Sequence, residues 1–391
     1  MSLYVETSAR SLHRFGEELC GDCYEVVRTP DSVITVLADG LGSGVKANIL
    51  ATLTTKIASS MLKQGATVDE VVETLASTLP VCQVRQLAYS TFLILQIFVQ
   101  KGEAYLVEFD CPDTIFWRNG AIQDLDKVSR TVSGRKIMEA RFPVQEGDVF
   151  VLISDGVVHA GVGGILNLGW RWENVAQYLE KVLQKEADLT RVVAMLTDVC
   201  ENLYVHKPGD DTTVVGVKVR PVGRVTLFTG PPADPADDPL VVRHLLDSPG
   251  KKVICGGTSA QIVSRISGRP LLTSLEGIGA DVPPMAAIPG IDLVTEGVLT
   301  LTQTLELVRW ARSAGTSYRD LARLNRPDGA SQLARLLLRD CTHLQVLVGK
   351  AINPAHQNPD LPRNLSLKLK VVEELCQELR QLGKEVALAY Y

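Results

Sequence analysis

Four short segments of the chain set an aspartate at the end of an apolar run. They are Gly21-Asp22-Cys23-Tyr24, Ala38-Asp39-Gly40-Leu41-Gly42-Ser43-Gly44, Leu152-Ile153-Ser154-Asp155-Gly156 and Gly209-Asp210-Asp211-Thr212-Thr213-Val214-Val215. Aspartate is a poor strand former, and any one of these alone reads as a turn. Four together, each touching a strongly apolar strand, read differently. Buried strands bring their ends to one edge of a core, and carboxylates gathered there repel unless cations neutralise them. Hard oxygen ligands without nearby His or Cys suit magnesium or manganese rather than zinc or copper. Two such ions about 4 Å apart can clamp a phosphoryl group for in-line attack.

These residues need a frame. Residues 33–38 read as a buried strand running into the glycine-rich turn. A helix follows over about 46–64, with Leu50, Leu53, Ile57 and Met61 expected on one inward face and Gly65 as its stop. A second helix is expected over 68–79, with Val68, Val71, Val72, Leu75 and Leu79 inward. Residues 90–99, 104–109 and 114–118 read as an antiparallel meander punctuated by Lys101-Gly102 and Asn119-Gly120. A strand at 149–153 delivers Asp155. Helices at about 173–185 and 189–204 precede a last strand at 212–219.

The four motifs, in this order and spacing, resemble the metal motifs of PP2C-type phosphatases. In particular they resemble the bacterial branch typified by the sporulation stage II protein E family and the small stress-response phosphatases. The resemblance covers about residues 1–222. It implies an α+β domain, an α/β/β/α sandwich of two antiparallel sheets flanked by helices. It also implies that Asp39 bridges two Mn2+ or Mg2+ ions, that Asp22 and the Gly40 carbonyl hold one ion, and that Asp155 and Asp210 hold the other. Asp211 stands where a supporting or alternative ligand is expected. The implied reaction is direct attack of a metal-held hydroxide on phosphoserine or phosphothreonine, with no phosphoenzyme. The implied substrate is a phosphoprotein, with a phosphorylated anti-sigma-antagonist domain as the best guess. The sequence departs from eukaryotic members, which carry a His directly after the Asp-Gly; here Leu41 stands there. The general acid is therefore unassigned, and His13, His159 and His206 are candidates by region only.

Character changes after residue 222. A Pro/Asp-rich stretch at 230–239 reads as a loop or hinge, and beyond it strands and helices alternate. The expected strands lie at 225–228, 252–255, 291–294, 344–348 and 386–390. The expected helices lie at 259–266, 301–314, 330–339 and 365–382. Alternation of this kind predicts a smaller α/β domain with a largely parallel sheet over 223–391, of regulatory or substrate-recruiting role. Gly256-Gly257-Thr258-Ser259 reads as a strand–helix turn, or as a phosphate cradle at a helix start, but it is not a complete nucleotide-binding signature. Asp281, Asp292 and Glu296 read as loop positions, and Arg323, Arg326, Arg335 and Arg339 as a solvated helix face.

Composition bounds the alternatives. The net charge of −5 gives no general attraction for phosphate backbones, so nucleic-acid binding is not expected. The start lacks a basic-then-apolar leader and the longest apolar run is too short for a bilayer, so a cytoplasmic protein is expected. Eight scattered cysteines read as mostly reduced, buried thiols. Cys20-Gly-Asp-Cys23 lacks the second pair a zinc knuckle needs, which leaves structural thiols or a redox pair. The oligomeric state is open, a dimer included. Two other functions compete with the phosphatase: a non-catalytic signalling module that keeps the fold, and a small-molecule phosphohydrolase or bifunctional enzyme. Retention of Asp22, Asp39, Asp155 and Asp210 argues against the first of these.

Overall fold

The computed structural model describes residues 3–78, 90–274, 285–313, 317–351 and 367–391. Leu79, Cys82, Asp281, Ala314 and Leu365 lie outside the described residues. The chain divides into two compact units, Met1–Pro221 and Val222–Tyr391.

The first unit begins with β1 (Leu3–Leu12), β2 (Asp22–Arg28) and β3 (Ser32–Gly40), then α1 (Gly44–Lys63) and α2 (Val68–Thr78). The meander follows as β4 (Ser90–Phe98), β5 (Glu103–Phe109), β6 (Ile115–Arg118), β7 (Ala121–Gln123), β8 (Val128–Val132) and β9 (Arg135–Pro143). Next come β10 (Val149–Ile153), α3 (Asp155–Val158), α4 (Trp172–Leu183), α5 (Leu189–Leu203) and β11 (Thr212–Pro221). Two wholly antiparallel sheets result, ordered β2-β3-β4-β5-β9-β8 and β1-β11-β10-β6-β7. Strand alternation supplies the layers. Val33, Leu37, Leu93 and Leu95 of the first sheet meet Phe150, Leu152, Val215 and Val217 of the second in one core. The opposite residues of the first sheet pack under α1 and α2, and those of the second under α4 and α5. This is the four-layer sandwich that the resemblance implied.

Two local readings change. The inward face of α1 carries Ala47, Leu50, Ala51, Thr54, Ala58 and Leu62, while Leu53 is exposed with Val45 and Ile49. The helix comes closest to β3 at Gly40, where a Cβ would lie 2.0 Å from the Ala47 carbonyl oxygen, and the arc that meets the sheet runs to one side of Leu53. Strand β1 was not expected, because Glu6-Thr7-Ser8-Ala9-Arg10-Ser11 has no apolar run. Pairing with all ten residues of β11 makes it a strand. Local propensity holds at α5, where the Asp188 side chain accepts from the Thr190 and Arg191 amides. Asp188→Ala is expected to cost about 1 kcal/mol, seen as a melting point lower by roughly 2–4 °C.

The second unit contains β12 (Arg224–Thr229), α6 (Asp238–Asp247), β13 (Lys251–Cys255), α7 (Gly257–Ser267), β14 (Leu272–Ser274), β15 (Met285–Ala287) and β16 (Leu293–Thr295). It continues with α8 (Val298–Arg312), α9 (Gly329–Arg335), β17 (His343–Val348), α10 (Leu367–Gln381) and β18 (Glu385–Tyr390). Its sheet runs β14-β15-β16-β13-β12-β17-β18, parallel from β16 to β18 with an antiparallel edge. The Pro/Asp-rich stretch is more ordered than expected. Asp234 caps a short 3-10 turn at Pro235–Asp237 that leads straight into α6, with Pro239 in the first helical turn. No described helix is long and apolar enough to cross a membrane.

Candidate active site

The five acidic residues come from both sheets of the first unit. Asp22 and Asp39 are direct cross-strand partners on β2 and β3. Asp155 follows β10, and Asp210 and Asp211 precede β11, its antiparallel neighbour. The Ser154 amide donates to the Thr213 carbonyl at 3.0 Å. The Thr213 amide donates to Ser154 Oγ at 2.8 Å. This exchange sets Asp155 beside Asp210 and Asp211.

Electrostatics joins the two pairs. Burial pushes the Asp39 carboxyl well above the usual range, and Asp22, Asp155 and Asp210 push it further. Asp22 is also raised, first by burial and then by Asp211 and Asp155, although the Ser154 and Thr213 hydroxyls lie near enough to oppose this. Neither Asp22 oxygen nor Asp211 Oδ2 makes a hydrogen bond of good geometry, although all are buried. Asp210 is raised by burial and by Asp155. A native core does not leave carboxylate oxygens unsatisfied without reason. Hard oxygen donors in this condition fit a divalent cation. Among the described residues, no three His, Cys, Asp or Glu side chains are grouped closely enough to hold a metal ion as they stand. Like charges have no cause to close up by themselves.

The sequence reading missed how the motif glycines work. Gly40, Gly21 and Gly156 each adjoin an acidic residue, and none needs an unusual backbone angle. Their role is close approach. A Cβ on Gly40 would lie 2.0 Å from the Ala47 carbonyl oxygen of α1. One on Gly156 would lie 2.0 Å from the Asp211 carbonyl oxygen, and one on Gly21 would lie 2.7 Å from Asp211 Oδ2. The Tyr204 hydroxyl donates to the Gly156 carbonyl at 2.7 Å, and Asn48 Nδ2 to the Cys20 carbonyl at 2.7 Å. Asp211 is buried below this surface, its Oδ1 accepting the Arg14 amide at 3.0 Å. That position suits a supporting role. Ser154, Thr213 and Asn48 were legible only as members of the quoted motifs or as helix residues. Their contacts depend on the folded sandwich.

Of the three histidines, His159 approaches the cluster, with Nδ1 3.8 Å from Asp155 Oδ2. His206 faces Glu201, and His13 is exposed. Burial, with Asp22 and Asp211 close by, pushes the Cys20 thiol up, away from the thiolate a redox dithiol uses.

Two antiparallel sheets packed face to face, with helices on both outer faces, match the PP2C fold. Residues 29–220 match the family model described as Stage II sporulation protein E (SpoIIE). No curated protein matches the sequence. Three of the similar solved structures show the range. The PP2C phosphatase domain of SpoIIE from Bacillus subtilis, with a fragment of its regulatory domain, is 19% identical over 56% of this chain and 64% of that one, with a TM-score of 0.47. This chain therefore spans just under two thirds of that structure. The RsbU and RsbW domains of Rv1364c from Mycobacterium tuberculosis are 17% identical over 62% of this chain and 68% of that one, with a TM-score of 0.48. RsbX in complex with magnesium is 18% identical over 55% and 95%, with a TM-score of 0.39.

Proposed function

We propose that the first unit is a metal-dependent serine/threonine phosphoprotein phosphatase. The observation that carries this is the group of carboxylates that both sheets deliver to one edge, Asp22 and Asp211 buried with unpartnered oxygens and Asp39, Asp155 and Asp210 half-buried beside them. Asp39 is central because it feels Asp22, Asp155 and Asp210 together. On this reading Asp22, Asp39 and the Gly40 carbonyl would hold one divalent ion. Asp39, Asp155 and Asp210 would hold a second, with Asp211 in support. The ions, Mn2+ or Mg2+, would supply Lewis acidity to a phosphoryl group and to water. The chain's own part is to orient: the Gly21, Gly40 and Gly156 contacts fix the carboxylates, and the Ser154–Thr213 exchange locks the two strand ends. His159 is the histidine best placed to move a proton near Asp155.

The test is hydrolysis of a phosphoserine peptide with manganese, magnesium or EDTA. Manganese- or magnesium-dependent turnover that EDTA abolishes supports the proposal. Metal-loaded, folded protein without turnover on any phosphoester favours the non-catalytic module.

A protein substrate, such as a phosphorylated anti-sigma-antagonist domain in the cytoplasm, is favoured over a metabolite by the surface beside the site. Val45, Ile49 and Leu53 make an exposed apolar stripe on α1, directly after the Asp39 turn. Val162, Ile165 and Leu168 are exposed in the segment after α3. Apolar surface of this kind suits protein contacts. Ile49→Asp is expected to lower kcat/KM on a phosphoprotein by about tenfold and to leave hydrolysis of p-nitrophenyl phosphate unchanged. Equal losses on both substrates would count against the docking role.

A further inference from the structure

The second unit carries a feature that the phosphatase reading does not use. Strands β13 and β16 lie side by side and parallel, with Cys255 opposite Thr295. After β13 the chain enters α7, which packs with α6 over Phe228, Ile254 and Val294. After β16 it enters α8, which packs with α9 and α10. The crossovers run to opposite ends of the sheet, so right-handed connections put α7 and α8 on opposite faces. The carboxyl ends of β13 and β16 therefore feed helices on opposite faces and leave a crevice between them, while the strand order of the sheet reverses elsewhere, between β12 and β17.

Both helices start at this crevice, and a glycine, Gly256 or Gly297, stands at the N-cap of each. A Cβ on Gly297 would lie 3.7 Å from the Gly256 Cα, so the two turns nearly touch. Gly256 has φ of 129°, a conformation that only glycine adopts readily. Neither turn supplies a capping side chain. By contrast, Asp188 and Asp328 cap their helices with carboxylates. The first-turn amides of α7 and α8 therefore converge without side-chain acceptors.

A second observation points to a ligand. Ser259 and Thr300 are the third residues of α7 and α8. Each is at most 1% exposed, and each hydroxyl lacks a hydrogen-bond partner. Helical hydroxyls elsewhere in this unit bond back one turn: Thr302 to the Val298 carbonyl at 2.9 Å, Thr304 to the Thr300 carbonyl at 2.8 Å. Ser259 Oγ instead lies 3.4 Å from the place a Gly256 Cβ would occupy, so it faces the turn. Orphaned donors at two helix N-termini are complementary to an anion with several oxygens.

We infer that this crevice binds the phosphate of a small phosphomonoester. The exposed Glu296, between Thr295 and Gly297, fixes the class further. A carboxylate at that position adds negative charge beside the helix starts, which disfavours a di- or triphosphate more than a single phosphate, and it can accept from a hydroxyl; one phosphate on a hydroxylated body such as a sugar phosphate fits both.

The experiment is calorimetric titration of the full chain in EDTA, which prevents hydrolysis, with ribose 5-phosphate, inorganic phosphate, ribose and a phosphoserine peptide. Ribose 5-phosphate is expected to bind more tightly than about 1 mM, and ribose without phosphate not to bind. Thr258→Glu places a carboxylate on the exposed first turn of α7. It favours the helix dipole and so preserves the fold, while it is expected to weaken binding by about tenfold or more. Ser259→Ala, a small truncation, is expected to weaken it by about threefold to tenfold. Absence of binding, or binding that both variants leave intact, overturns the site. A phosphoserine peptide that binds about tenfold more tightly than ribose 5-phosphate overturns the small-molecule assignment.

Discussion

Asp39→Asn is expected to lower phosphoester turnover by about 10³-fold or more, the scale of losing a group that organises transition-state charge, and at the same time to raise the melting point of the metal-free protein. The two effects have one cause. Asp39 sits among Asp22, Asp155 and Asp210 in a partly desolvated site, so its charge is costly when no cation is present. The sign follows from linkage. Asp39 and Asp22 are raised in the folded state, so they contribute stability that is present below about pH 4, the unfolded carboxylate range, and lost as pH rises through their raised values. In EDTA, wild-type protein should therefore melt lower at pH 9 than at pH 6, and Asp39→Asn should flatten that slope. Asp69, held below the usual range by Arg130, acts with opposite sign, but only at lower pH. Manganese should raise the wild-type melting point and do much less for the variant. Differential scanning calorimetry with and without the ion decides. A variant that melts lower than wild type in EDTA at pH 9 would show that Asp39 is held by interactions other than repulsion.

Gly40→Ala and Gly156→Ala should each destabilise the first unit by about 3 kcal/mol, the upper end of overpacking costs, lowering its melting point by roughly 6–12 °C. In both, the new methyl would stand 2.0 Å from a backbone carbonyl oxygen, of Ala47 and Asp211 respectively. Backbone cannot rotate away as a side chain can. For Gly40→Ala, α1 would have to lift off β3, carrying the Asp39 turn with it. Activity should fall even where the protein still folds. Ala47→Gly should not rescue Gly40→Ala, because the clash is with the main chain. Gly21→Ala should cost less, since its nearest obstacle is a carboxylate oxygen of Asp211 at 2.7 Å. Thermal melts of the three variants test this order. Equal costs would mean that the site yields in ways the close contacts do not suggest.

The sequence by itself determined which residues make the acidic edge and which strands carry them. Asp39, Asp155 and Asp210 each abut a strongly apolar strand and Asp22 opens a more mixed one, and that pattern is local. It also determined the parallel character of the second unit, because alternating strands and helices admit few other solutions. The tertiary structure decided the rest. Strand β1 exists because β11 offers a pairing edge, despite its polar composition. Leu53 faces outward because the contact of Gly40 with the Ala47 main chain sets which arc of α1 meets the sheet, and that arc runs through Leu50, Thr54 and Leu62. The roles of Ser154 and Thr213 appear only when β10 and β11 pair. The crevice between Gly256 and Gly297 joins residues about forty positions apart, through the order of strands in a sheet. Periodicity and propensity act over a few residues, so they fix identity and local form. Close approach and burial are properties of two segments at once, and only the packed chain brings those segments together.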